Sequence, residues 1–135
     1  MFVIDTSVAM AWCFQDEATQ ATEAVLDLLR EDQVVVPAIW PLEVANVLLV
    51  AERRGRLSEA QASRFLELLA QLPINVDTSP TDLAGIVATG RRHTLSSYDA
   101  AYLLLAERLG TTLATLDKPL AKAARKAGVQ LLIKA

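Results

Sequence analysis

Short apolar runs alternate with helix-length segments along the whole 135-residue chain, and this alternation constrains the fold more than any other feature. Five runs predict strands: FVID (2–5), VVV (34–36), INV (74–76), TTLAT (111–115) and VQLLI (129–133). A helical stretch separates each run from the next, which is typical of parallel strands with helices packed on both faces. The sequence therefore predicts one α/β domain over residues 1–135, a three-layer α/β/α sandwich around a parallel sheet of about five strands.

The segments between the runs carry helix signals. Residues 17–31 repeat apolar side chains at helical spacing, and Ser58 is placed as the N-cap of a later helix. The stretch LEVANVLLVAERRG (42–55) is apolar on nearly every side around Glu43 and Asn46. A helix that is apolar all round is normally buried, so this pattern predicts a buried helix that carries a carboxylate.

Composition excludes several classes of protein. Hydrophobic residues make up 53% of the chain, which argues against disorder, while the most apolar windows fall well short of the ~20 residues of a membrane span. The first residues do not resemble a signal peptide. Cys13 is the single cysteine, so no intrachain disulfide can form and a reducing, cytoplasmic setting is expected. The mean hydropathy of +0.31 indicates apolar surface reserved for a partner.

Four acidic residues fall where predicted strands end or the following helices begin: Asp5, Glu43, Asp99 and Asp117. In open parallel sheets, ligands bind beyond the carboxyl ends of the strands. The four carboxylates are therefore expected on one side of the molecule, with few cations close to them in sequence.

Each acid also has a plausible role in starting a helix. Ser96 and Asp99 match a capping box, Asp117 is placed as an N-cap before Pro119, and Glu43 lies in a first turn where the helix dipole favours an anion. On the residues alone, helix initiation and chemistry stay open for each position.

Converging carboxylates need a cation, because mutual repulsion would otherwise raise their pKa values. Carboxylate oxygens and water suit Mg²⁺ or Mn²⁺, whereas the lone His93 and the lone Cys13 do not make a zinc site. A bound divalent ion activates water and stabilises charge on a phosphate. An acid-lined site of this kind points to phosphodiester hydrolysis.

The motifs VIDTSVAMAW, PLEVANVL, LSSYDAAYLLLAERLG and LATLDKPL, in this order and spacing, resemble those of PIN-domain proteins, and most of all the VapC-type toxin ribonucleases of toxin–antitoxin pairs. The resemblance covers essentially the whole chain. It implies a sheet order of 3-2-1-4-5, which places Asp5 and Asp117 side by side. It also implies roles for two sets of residues. The expected metal ligands and catalytic residues are Asp5, Glu43, Asp99 and Asp117, and the residues expected to orient them or touch the substrate phosphate are Thr6, Asn46, Ser97 and Thr115.

The resemblance further implies partners. RNA would be cleaved with Mg²⁺ or Mn²⁺ by a homodimer, with no role for a membrane. A VapB-type antitoxin would silence the enzyme, and DNA would be contacted only indirectly, through that antitoxin.

Binding of RNA by a chain with a formal charge of −3 requires local positive charge. The four proposed ligands account for the deficit, since leaving them out changes the formal charge from −3 to +1. Four basic residues are predicted to contact RNA phosphates: Arg91, Arg92, Lys118 and Lys122.

Three alternatives share the acidic site. A receiver-like signalling domain would also bind Mg²⁺, but it places paired acids after the first strand and a lysine after the last, where this chain has Thr6-Ser7 and only the terminal Lys134. A phosphatase of the haloacid type needs a second acid at position 7. A PIN domain could also serve as a non-catalytic scaffold.

Overall fold

Four parallel strands form a single sheet in the computed structural model, which describes residues 1–133. The strands are β1 (Phe2–Ile4), β2 (Val34–Val36), β3 (Ile74–Val76) and β4 (Leu113–Ala114). Their order is β3-β2-β1-β4, with Val3 opposite Val35 of β2 on one side and opposite Leu113 of β4 on the other. The predicted α/β class and the order of these four strands are confirmed.

Helices occupy every connection between the strands. They are α1 (Thr6–Cys13), α2 (Gln20–Leu28), α3 (Trp40–Arg53), α4 (Glu59–Gln71), α5 (Leu83–His93), α6 (Ser97–Leu109) and α7 (Lys118–Lys126). A short 3₁₀ turn at Gln15–Glu17 precedes α2. The helix predicted over 17–31 starts later because Thr19 and Thr22 form a capping box there.

The prediction of a fifth strand at 129–133 is wrong: among the described residues, the sheet has four strands. Leu131 makes one isolated parallel bridge to Leu113, through Leu113 N to Gln130 O and Leu132 N to Leu113 O, both 3.0 Å. Since β4 is only two residues long, it offers no ladder for a further strand. The segment occupies the position beside β4 that the order 3-2-1-4-5 assigns to it. Lys134, invoked for the receiver-like alternative, lies outside the described residues.

The core lies around β1. Phe2, Val3 and Ile4 point alternately to the two faces of the sheet, and all three are at most 2% exposed. Burial of consecutive strand residues requires helices on both faces, as the three-layer prediction expects. This burial fixes the carboxyl end of β1, where Asp5 follows.

The prediction that the helix over 42–55 is buried all round is wrong. α3 buries only the stripe of Trp40, Val44, Leu48 and Ala51, while Leu42 is 68% exposed and Leu49 is 49% exposed. Helical periodicity shows which residues share a face, but not how many faces have a neighbour. Glu43 is consequently half-buried.

None of the helices in residues 1–133 combines the length and apolar character needed to cross a membrane.

Candidate active site

Asp5 ends β1 and caps α1. Its Oδ1 accepts a hydrogen bond from Val8 N (3.3 Å) and from Ser7 Oγ (2.5 Å), and its Oδ2 accepts one from Thr115 Oγ1. Asp5 is 4% exposed, so these bonds hold the carboxylate in one orientation. The two proposals for Asp5, helix start and functional ligand, are compatible in this geometry.

The pKa of Asp5 rises from 3.8 to about 6. Burial is the main cause; hydrogen bonds from Ser7, Thr115 and Val8 oppose it, and the nearby charge of Asp99 adds to it. At neutral pH the ionised carboxylate therefore sits in a place that disfavours its charge. A cation at this point would relieve that cost.

Thr115 joins Asp5 to Asp117. Because β4 lies directly beside β1, the Thr115 hydroxyl reaches Asp5 and also accepts a hydrogen bond from Asp117 N at 3.0 Å. Asp117 caps α7 through Leu120 N, which donates to its Oδ2 at 2.9 Å. The predicted proximity of Asp5 and Asp117 thus follows from the strand order.

Asp99 lies in the first turn of α6, half-buried. Its backbone N donates to Ser96 Oγ at 3.1 Å, so Ser96 is the N-cap. Among the described residues, the Asp99 carboxylate does not return the second bond of a capping box to Ser96 N. Burial raises the pKa of Asp99, and repulsion from Asp117 and Glu43 raises it further. The hydroxyl of Ser96 is therefore sufficient to cap α6, and the Asp99 carboxylate lies near the other acids.

Glu43 is held by two hydroxyl groups. Tyr102 Oη donates to its Oε1 at 2.5 Å and Thr6 Oγ1 donates to the same oxygen at 3.1 Å, while the two hydroxyl oxygens lie 3.0 Å apart. These contacts tie α3, α1 and α6 together at one carboxylate oxygen. Burial, followed by the hydrogen bond to Glu43, raises the pKa of Tyr102 well above its usual range, so its hydroxyl remains a donor.

Tyr102 and Ser7 were not singled out from the sequence. In the sequence Tyr102 stands within the apolar stretch AAYLLLA (100–106), and in the structure it is 1% exposed. The signal that marks it is its position three residues after Asp99, which places both side chains on one face of α6. Ser7 follows Asp5 by two residues, and its Oγ also accepts a hydrogen bond from Leu116 N at 2.9 Å.

The remaining predicted site residues divide into two groups. Thr6 and Thr115 lie in the hydrogen-bond network just described. Asn46 is exposed on α3 one turn beyond Glu43, and Ser97 borders an apolar cleft beside α6. The structure thus brings the four acids, Thr6 and Thr115 together, while Asn46 and Ser97 lie at the margin.

The donor set fits a hard divalent cation. Within residues 1–133, no group of three or more aspartate, glutamate, histidine or cysteine side chains is arranged to hold a metal ion. An open cluster is nevertheless what Mg²⁺ uses, because it keeps several waters and takes only one or two carboxylates directly. Asp5, Asp99, Asp117 and the free oxygen of Glu43 are the groups that would hold such an ion.

Tyr102→Phe is expected to weaken binding of a divalent ion about 10–100-fold, because the group that orients Glu43 is removed. It should also cost about 1–2 kcal/mol of unfolding free energy through the lost hydrogen bond to a carboxylate. Tyr98→Phe serves as the control, because it makes the same chemical change at an exposed position of the same helix. Titration calorimetry with Mn²⁺ measures the difference; equal affinities of the two variants would show that Tyr102 has no positioning role.

A groove of about 460 Å³ runs between the end of α5 and one face of α7. Its lining includes Arg92, His93, Lys118, Lys122 and Lys126. Three of the four basic residues predicted to contact RNA therefore lie together. The fourth, Arg91, does not line the groove.

A second, apolar cleft of about 790 Å³ lies between α3, α5 and α6. Three strongly exposed side chains line it: Leu42, Leu83 and Tyr98, at 68%, 72% and 56% exposure. They are the three most exposed large apolar side chains among residues 1–133, so part of the apolar surface that the hydropathy indicated lies here.

Residues 2–126 match the sequence family described as the PIN domain. Ribonuclease VapC3 of Pyrobaculum aerophilum is 34% identical over 122 residues, which covers 89% of this chain and 92% of that protein. Ribonuclease VapC3 of Mycobacterium tuberculosis is 38% identical over 100 residues, covering 74% of this chain and 72% of that protein.

Two solved structures share the fold. The crystal structure of PAE2754 from Pyrobaculum aerophilum superimposes with a TM-score of 0.71 at 23% identity, covering 97% of this chain and 90% of the other. The crystal structure of FitAcB from Neisseria gonorrhoeae gives a TM-score of 0.67 at 21% identity, covering 97% and 96%.

Proposed function

The chain belongs to the PIN-domain family, and from that membership and its acidic site we propose that it is a divalent-metal-dependent endoribonuclease, the toxin of a toxin–antitoxin pair. The observation that carries the proposal is the convergence of four acidic residues at the carboxyl edge of the sheet: Asp5, Glu43, Asp99 and Asp117. No basic residue is hydrogen-bonded or ion-paired to any of them within the described chain.

The four acids would hold Mg²⁺ or Mn²⁺, which when bound activates water and stabilises the charge that develops on the scissile phosphate. The chain's own contribution is to fix these acids. Ser7 and Thr115 orient Asp5, and Tyr102 with Thr6 holds one oxygen of Glu43. Preorganised ligands of this kind need no rearrangement when charge develops.

Purified protein is expected to cleave single-stranded RNA only with Mg²⁺ or Mn²⁺, to stop completely in excess EDTA, and to recover when the ion is restored. Because water is the attacking group, the products should carry no 2′,3′-cyclic phosphate. End-group analysis of a labelled RNA checks both points. Cleavage that persists in EDTA, or that yields cyclic phosphate ends, would contradict the proposal, and an inert protein under every divalent ion would favour the scaffold alternative.

The toxin assignment includes an antitoxin of the VapB type, which would bind this chain, silence cleavage and supply the only contact with DNA. The test is co-expression with the product of the adjoining reading frame, followed by the cleavage assay. A tight complex without RNA cleavage is the expected result, whereas a complex that cleaves as fast as the free chain would contradict it.

The proposed homodimer would use the apolar cleft bordered by Leu42, Leu83 and Tyr98. A second copy of this chain is the favoured occupant, because oligomers are mostly two-fold symmetric and the three most exposed large apolar side chains of residues 1–133 border this one cavity. Leu83→Asp should convert a dimer to a monomer in sedimentation equilibrium. Leu66→Asp changes another exposed leucine, on α4 outside the cleft and 51% exposed against 72% for Leu83, and should leave the dimer intact. A wild-type monomer, or dissociation by both variants alike, would rule out this interface.

A further inference from the structure

The groove between α5 and α7 concentrates positive charge in a chain that is acidic overall. Four cationic side chains line it: Arg92, Lys118, Lys122 and Lys126. His93 and Thr94 complete the α5 side, and no acidic residue belongs to the lining. The groove is therefore positively charged although the formal net charge of the whole chain is −3.

The lysines of α7 form a regular row. Lys118, Lys122 and Lys126 are four residues apart, so they lie on one face of the helix and extend about 12 Å along its axis at about 1.5 Å per residue. That length corresponds to about three stacked nucleotides at about 3.4 Å each. Among residues 1–133 none of these lysines, nor Arg92, takes part in an ion pair. Their charge is therefore available to an external anion.

Both walls of the groove adjoin, along the chain, segments that carry acids of the site. The α7 wall begins at Lys118, directly after Asp117, which caps that helix. The α5 wall ends at Thr94, which adopts a left-handed conformation (φ 54°) and turns the chain toward Ser96 and Asp99. A polymer anchored between the walls would therefore run toward the acids.

We propose that this groove binds the sugar–phosphate backbone of single-stranded RNA on one side of the scissile bond, an inference that rests on the proposed ribonuclease function. The lining holds four cations and no Phe, Tyr or Trp, with His93 as its one aromatic ring, so contacts to phosphate outweigh stacking on bases and binding here depends little on base identity. Lys126 joins the predicted contacts Arg92, Lys118 and Lys122 in this role, and Arg91 is left out.

Two double variants with the same change in charge test the groove. Arg92→Gln with Lys122→Gln removes one cation from each wall, while Arg91→Gln with Arg125→Gln removes one exposed cation from each of the same two helices outside the lining. Both pairs are built on Asp5→Asn so that RNA is not cut. Fluorescence anisotropy with a short labelled RNA of mixed sequence measures affinity across a range of salt concentrations.

The groove variant is expected to bind several-fold more weakly than the control variant. Its dependence of log affinity on log salt should be shallower by about 1.4, since each phosphate contact on a single strand contributes about 0.7. Equal affinity and equal slope in the two variants would overturn the proposal. So would an unchanged RNA affinity combined with selective loss of polyglutamate binding, which would assign the groove to an acidic protein segment.

The result is separable from the ribonuclease proposal because the readout is binding. With Asp5 restored, the groove variant should raise KM for RNA while kcat stays close to that of the control variant. If the chain proves not to cleave RNA at all, the binding comparison still decides whether the groove holds a phosphate backbone.

Discussion

Asp5→Asn is expected to lower RNA cleavage by about 10³-fold or more and at the same time to stabilise the metal-free protein at pH 8. The loss is expected because the ion that Asp5 is proposed to help hold would contribute several kcal/mol of transition-state stabilisation. The fold should persist, since the asparagine oxygen can still accept the cap hydrogen bond from Val8 N.

The gain in stability follows from the raised pKa of Asp5. Burial shifts this pKa from 3.8 to about 6, which makes the ionised form about 3 kcal/mol less favourable in the folded chain. The folded state binds the proton more tightly than the unfolded state, so this group's contribution to stability is complete below about pH 4 and is lost as the pH rises through about 6. Asp5 should therefore cost the metal-free wild-type protein up to about 3 kcal/mol across this window. Asp5→Asn should lose correspondingly less, its remaining loss coming from groups such as Asp99, whose pKa burial also raises.

Urea unfolding in EDTA between pH 4 and pH 8 measures this difference. Asp27→Asn is the matched control, because Asp27 is exposed and contacts only Arg30 at 3.8 Å, an ion pair of little energetic consequence. If Asp5→Asn is less stable than wild type at pH 8, the buried carboxylate is not a site of unfavourable charge and needs no cation to balance it.

Asp99→Asn is expected to lose cleavage to a similar degree while leaving the start of α6 intact. The cap bond runs from the Asp99 backbone N to Ser96 Oγ and does not involve the carboxylate. The substitution thus separates the two roles that the sequence left open. Circular dichroism should show an unchanged helix content, and the cleavage assay should show the loss.

Glu107→Gln provides the comparison for Asp99→Asn, since it removes an exposed negative charge from the same helix. It should cleave RNA at the wild-type rate. An active Asp99→Asn protein would assign Asp99 to the helix start alone.

A strand could be predicted where its own residues are enough to bury it in the sheet. It could not be predicted where strand formation depends on the length of the neighbouring strand. FVI and VVV become β1 and β2 because such runs are buried on both faces of the sheet. The residues at 129–133 are also mostly apolar, yet they make one bridge because β4 is too short to extend the ladder. An edge strand of this kind needs a long enough neighbour to pair with, and its own sequence carries no information about that neighbour.

The proximity of Asp5 and Asp117 was predictable because they follow β1 and β4, whose carboxyl ends meet at one edge of the sheet. Glu43 and Asp99 instead lie in the first turns of α3 and α6. The contact between Tyr102 and Glu43 joins residues 59 apart in sequence, and no local pattern encodes it. Burial around α3 was overestimated for the related reason that an apolar residue is equally suited to a core and to an interface, as Leu42 and Leu49 illustrate.

Titration of Mn²⁺ into metal-free protein, followed by the electron paramagnetic resonance signal of the free ion, tests most directly whether the acidic cluster is a metal site. Wild-type protein and Glu107→Gln are predicted to deplete the free signal, whereas Asp5→Asn and Asp99→Asn leave most of it. Equal depletion by all four proteins, or none by the wild type, would contradict the account.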